Sequence, residues 1–144
     1  MEYEIEAELI HEFLSNRSNG FAYQPIIGSG INSCVLHYTD NNKKCTDGDI
    51  LLMDFGAEYA NYCSDLTRTI PVSGRFSTRQ KNVYKSVLHV MREAIKMLSP
   101  GLFLKEYNKE IGRIMELELI NLKLLDRHDL QKQDPKNPLY KKYF

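Results

Sequence analysis

Six residues near the middle of the chain, Ile50-Leu51-Leu52-Met53-Asp54-Phe55, constrain its fold more than any other stretch. They read as a strand that is apolar on both faces and needs cover on both sides. Asp54 alone breaks the pattern, and burying its carboxylate is costly unless its charge is compensated. A loop around Glu58–Asn61 leads to a return strand over Tyr62–Ile70, so the pair reads as an antiparallel hairpin. With that loop, Ala57 faces Tyr62 and the same register sets Asp54 opposite Asp65. Directly opposed side chains hold their Cβ atoms about 4.5–5.5 Å apart, where like charges repel. Two buried carboxylates so placed share either a proton or a cation.

A shared proton describes an aspartic-protease dyad, but the flanks lack the glycine-rich loops expected there. A shared cation needs oxygen ligands for a hard or borderline divalent metal, which aspartates supply. Carboxylates bridging two metals would relieve the repulsion and create a geometry that activates water. Without a metal, Asp54 is a strand-end residue in a turn, or pairs with nearby Arg68. These readings stay open on the residues alone, and one bulge would move Asp65 to the other face.

The remaining chain frames this hairpin. Ile5, Leu9 and Phe13, widened by Ile10 and Leu14, give an amphipathic helix from Glu2 to about Asn16, with the glutamates at 2, 4, 6, 8 and 12 mostly outside its stripe. A β-rich part covers 21–76. In it, Pro25 excludes a central strand around Phe21–Ile27, Gly28-Ser29-Gly30 reads as a flexible turn, and Val35–Tyr38 as a short extended piece. Two long helices fill 77–125. The first is opened by the capping box Ser77-Thr78-Arg79-Gln80 and closed by Ser99-Pro100-Gly101, and the second runs from about Phe103 to Leu125. A polar tail covers 126–144.

Composition narrows the function classes. The 144 residues, 42% hydrophobic, suit one domain with its own core. Nineteen basic and nineteen acidic residues cancel, which argues against charge-driven nucleic-acid or membrane-surface binding. No apolar run reaches a membrane span, and the acidic start is unlike a signal peptide. Three cysteines, at 34, 45 and 63, fit a reducing, cytoplasmic setting and read as small buried residues. Gly28-Ser29-Gly30 lacks the third glycine of a nucleotide loop, and Asp40–Leu51 lacks the acidic residues of a calcium loop. His89 reads as a solvated or packed helix residue.

Met53-Asp54-Phe55-Gly56 and the run Tyr62-Cys63-Ser64-Asp65-Leu66-Thr67-Arg68-Thr69-Ile70-Pro71-Val72-Ser73-Gly74, with Val35-Leu36-His37-Tyr38 and Asp47-Gly48-Asp49, together resemble Xaa-Pro aminopeptidases of the pita-bread metallopeptidases. The resemblance covers nearly the whole chain. It implies an α+β fold, the first half of a pita-bread catalytic domain, with a curved antiparallel sheet backed by long helices. It implies two divalent metal ions, usually manganese, held by two Asp, one His and two Glu. Asp54 and Asp65 match the two aspartates. His37 matches a histidine that holds substrate or intermediate beside the active site, and Thr67 a residue whose hydroxyl orients Asp65.

The implied reaction removes an N-terminal residue from a peptide with proline in second position. Proline's nitrogen bears no hydrogen, so selectivity must come from a ring-shaped pocket. The resemblance implies that the His and both Glu ligands follow the equivalent of Phe144, and His11, His89 and His128 match none of them. The isolated chain is therefore expected to be nearly inactive, with an apolar face that favours self-association. An Xaa-Pro dipeptidase and a non-catalytic binding module of the same fold are the alternatives.

Overall fold

A computed structural model describes residues 1–143, which divide into a first unit, Met1–Ser77, and a second beginning at Thr78. The first unit opens with helix α1 (Glu2–Ser15). Its predicted stripe turns inward except at Leu14, which is exposed: Phe13 meets Phe21 edge-on, ring centroids 5.4 Å apart, and leans on Phe55 at 6.1 Å. The end of the central strand is thereby fastened to the helix. Glu2 departs from expectation. It lies fully buried at the helix start, not outside the stripe.

Six strands follow: β1 (Gly20–Phe21), β2 (Ile26–Ser29), β3 (Ile50–Phe55), β4 (Ala57–Tyr59), β5 (Tyr62–Cys63) and β6 (Leu66–Pro71). They form two three-stranded antiparallel sheets, ordered β1-β4-β5 and β2-β3-β6. β3 is central in the second sheet, as its two apolar faces require, and Leu51 is buried beside Ile27 of β2's core-facing row.

The two sheets part at one place along the hairpin. Gly56 separates β3 from β4, while Ser64 and Asp65 separate β5 from β6. A Cβ at Gly56 would lie only 1.8 Å from the Ser64 carbonyl oxygen, so the strands approach here more closely than any side chain permits.

Two further expectations give way around β2. Gly28 and Ser29 belong to that strand, because the Ile26↔Asp54 register carries on through Ser29↔Leu51. The segment after it coils into a 3₁₀ helix (Gly30–Cys34), then turns through Val35–His37. His37 has φ +53, so Val35–Tyr38 is a turn and not an extended piece. The cysteines are not buried either: Cys34 and Cys63 are exposed, Cys45 is partly so, and all three are free.

The second unit contains α2 (Thr78–Met97), α3 (Leu104–Asn121) and the short α4 (Arg127–Lys132). Ile111 and Leu119 are its buried apolar side chains. α3 stops before the expected Leu125, since Lys123 adopts φ +58, outside any right-handed helix. The tail is more structured than its polarity suggests. Asp126 caps α4 by accepting from the His128 amide at 2.7 Å, and a 3₁₀ turn (Leu139–Tyr143) brings Tyr140 against Gly112. Val87, Met91 and Ile95 of α2, with Leu98 just past its end, form an exposed apolar stripe. No helix among the described residues is long and apolar enough to cross a membrane.

Candidate metal centre

The register differs from the expected one by two residues. The hairpin tip is Ala60-Asn61, with Tyr59 facing Tyr62, and both tip residues take positive φ (+52 and +68) as a two-residue turn demands. Asp54 therefore faces Thr67 across β3 and β6, and not Asp65. Because side chains alternate with a period of two, a two-residue slip preserves the face. Asp65 stays on the same side as Asp54, now as its diagonal neighbour.

One side chain joins them. The Tyr23 hydroxyl lies 2.6 Å from Asp54 Oδ1 and 3.2 Å from Asp65 Oδ1. It has one proton for two carboxylates, so it donates mainly to Asp54 and leaves Asp65 weakly satisfied. Burial raises the Tyr23 pKa, and the hydrogen bonds and charges of Asp54 and then Asp65 raise it further, so the hydroxyl remains a donor. Tyr23 lies between β1 and β2, where the chain breaks opposite Gly56, and Ala22 N donates to Gly56 O at 2.8 Å. A tyrosine just ahead of a strand-breaking Pro25 is too common a pattern to have marked it.

The other expected site residues are placed as follows. Asp54 is half-buried and Asp65 exposed, not a buried pair, because Asp65 sits off-strand at the parting of the sheets. Thr67 is exposed opposite Asp54, and among the described residues no hydrogen bond joins its hydroxyl to Asp65. Arg68 faces Met53 and donates to the Thr67 carbonyl at 2.8 Å, so it forms no ion pair with Asp54. His37 is exposed in its turn. On α2, His89 is bonded through Nδ1 to Glu118 of α3 at 2.8 Å.

Two carboxylates converging on one hydroxyl have the right chemistry for a hard cation, and their negative charge is undercompensated by a single neutral donor. Their number is insufficient: among the described residues no group of three or more His, Cys, Asp or Glu side chains could hold an ion. The pair fits as part of a metal centre.

Comparison with known proteins bears on the family and the fold. Residues 1–136 match metallopeptidase family M24. The chain is 43% identical over 124 residues to an Xaa-Pro aminopeptidase of Haemophilus influenzae, covering 86% of this chain and 29% of that protein. It is 38% identical over 141 residues to an Xaa-Pro aminopeptidase of Escherichia coli, covering 96% and 32%. Among solved structures, a zinc-substituted E. coli aminopeptidase P in complex with product superposes with a TM-score of 0.85 at 40% identity, over 92% of this chain and 30% of that one. Proline aminopeptidase P II from Yersinia pestis gives 0.80 at 41% identity, over 83% and 28%. The α+β arrangement is thus that of the pita-bread fold, and the chain spans about a third of the length of these relatives.

Proposed function

The chain belongs to metallopeptidase family M24, and from that premise we propose that it carries the two-aspartate portion of a metal-dependent Xaa-Pro aminopeptidase site. The observation that carries the reading is the convergence of Asp54 and Asp65 on the Tyr23 hydroxyl despite their diagonal register. In this reading both aspartates are metal ligands and the ions are two, with manganese the expected metal. When bound, they supply the Lewis acidity and activated water that amide hydrolysis requires.

The rest falls to the chain's own residues. Asp54, on the central strand, holds a fixed position, while Tyr23 aligns its carboxylate with that of Asp65. Thr67 stands between the two, across from one and two residues from the other. His37 contacts the substrate, a peptide with proline in second position. The free thiols of Cys34, Cys45 and Cys63 support a reducing, cytoplasmic setting. The exposed stripe on α2 supports self-association.

Calorimetric titration with manganese tests the assignment. Weak binding that disappears in Asp54→Asn and in Asp65→Asn is expected, with negligible cleavage of an Xaa-Pro peptide by the isolated chain. Binding that survives both substitutions together refutes the ligand assignment. Tight binding of two ions with turnover refutes the need for further ligands.

A further inference from the structure

Glu2 is the least expected side chain in the first unit. It is wholly buried, no salt bridge among the described residues reaches it, and its carboxylate accepts four hydrogen bonds. The Ser29 amide and the Asn32 side chain donate to Oε1 at 2.9 and 3.1 Å, and the Tyr38 hydroxyl and Lys43 amide to Oε2 at 2.7 and 2.9 Å. Burial alone would raise its pKa. The Tyr38 hydroxyl, the Lys43 and Ser29 amides and Asn32 outweigh burial and hold it below the ordinary value. Buried charge is an expensive means of stabilising a fold, since apolar side chains of similar volume often serve as well or better. What a four-donor carboxylate does supply is a unique geometry for the groups that meet on it.

Two of those groups, Tyr38 and Lys43, lie on the segment that bears His37. On the N-terminal side of His37, Val35 and Leu36 are 49% and 88% exposed and give little anchorage. On the C-terminal side the next residue is Tyr38, 8% exposed, held by Glu2 and by Asn32 Nδ2 at 3.0 Å. Further on, Asn41 accepts from the Ile27 amide and donates to Pro25 O and to Glu6. His37 itself has φ +53. Such a backbone is unfavourable for a non-glycine residue and persists only where its surroundings over-determine it.

We propose that Glu2 is a positioning residue for His37, which it holds in its left-handed turn through the Tyr38 hydroxyl and the Lys43 amide. This rests on the reading of His37 as a substrate-contacting residue. The role is geometric, and Glu2 touches neither substrate nor metal. Glu2 thus couples the first turn of α1 to the turn that bears His37.

Backbone ¹⁵N relaxation on the full chain tests the proposal, comparing unsubstituted protein with Glu2→Gln and Tyr38→Phe. The order parameter of His37 should fall from about 0.85 to below about 0.6 in both variants, while Asp54 and Thr67 remain rigid. Tyr38→Phe keeps the ring and removes one hydroxyl, so it decides the matter if Glu2→Gln does not fold. An unchanged His37 order parameter in Tyr38→Phe overturns the proposal, as does a value already below about 0.6 in the unsubstituted chain. Loss of order at Asp54 and Thr67 together with His37 overturns it too, because Glu2 and Tyr38 would then serve the fold at large. A proline-containing peptide titrated into the unsubstituted chain reports separately on His37. If its ring signals do not shift, the substrate reading fails while the order parameters still decide the positioning role.

Discussion

Gly56→Ala is the substitution whose outcome follows most directly from the geometry. Gly56 is not among the glycines with positive φ, so its backbone conformation is open to alanine and the constraint is space alone. The added Cβ would meet Ser64 O at 1.8 Å, Ser64 C at 2.7 Å and Tyr23 Cε1 at 3.0 Å, where ordinary contact begins at 3.4 Å. The Ser64 carbonyl must therefore retreat by about the difference between 1.8 and 3.4 Å. Overpacking relieved by mobile side chains costs about 1–3 kcal/mol. Here the obstacle is backbone, and the retreat strains the bonds from Ser64 N to Ala57 O and from Ala57 N to Ser64 Oγ, each worth about 1 kcal/mol. A total of about 3–5 kcal/mol, with a urea slope of about 2 kcal/mol/M, lowers the midpoint by about 1.5–2.5 M.

Tyrosine fluorescence can follow the transition, the chain having nine tyrosines and no tryptophan. Gly74→Ala is the control, because Gly74 has φ +72 but nothing within 4 Å of its Cβ position. It incurs only the left-handed penalty of about 1–2 kcal/mol. The same retreat moves Asp65, next to Ser64, away from Tyr23, so Gly56→Ala should also weaken manganese binding where Gly74→Ala does not. A midpoint for Gly56→Ala no lower than that of Gly74→Ala would show that the close approach at the sheet parting is not what requires glycine.

Asn41→Ala strands the buried Ile27 amide and Pro25 carbonyl together, and a loss of about 2–4 kcal/mol is expected in the same denaturation assay. Gly112→Ala puts a Cβ 2.4 Å from the Tyr140 ring, so limited proteolysis should nick residues 133–143 faster although α3 gains helix propensity. Tyr38 is held protonated by burial and then by the Glu2 bond, its pKa raised from 10.0 to about 12. Its contribution to stability is complete below pH 10 and is lost as pH rises towards 12, and Tyr38→Phe should flatten that alkaline limb. Glu2 has the opposite sign: its depressed pKa adds stability above the ordinary carboxylate range, lost as pH falls through the folded value. Glu2→Gln should therefore blunt acid unfolding.

Local patterns carried most of the framework. The stripe of Ile5, Leu9 and Phe13, the two-faced apolar strand at 50–55, and the stop at Ser99-Pro100-Gly101 are all short-range signals, and each corresponds to an element. The hairpin register differs from the local expectation because a two-residue tip requires positive φ at Ala60, which alanine disfavours, so the residues suggest a longer loop. The difference is two residues, one full side-chain period, and the aspartates still share a face. Tyr23, Glu2 and Asn41 lay beyond local reading. Their roles depend on partners 31, 36 and 14 residues away, at Asp54, Tyr38 and Ile27, and no periodicity encodes such pairs.

The unequal settings of the two aspartates have a mechanical consequence. Asp54 rides on β3, laddered on both sides, whereas Asp65 lies in the unladdered gap between β5 and β6. The pair works as a vice with one fixed jaw and one compliant jaw. Its opening can adjust by bending the hairpin at Gly56 and Ser64, without breaking a rung of the central ladder. As the metal ligands proposed above, the same two carboxylates would accommodate cations of different radius, and discrimination among them would fall to whatever ligands complete the shell.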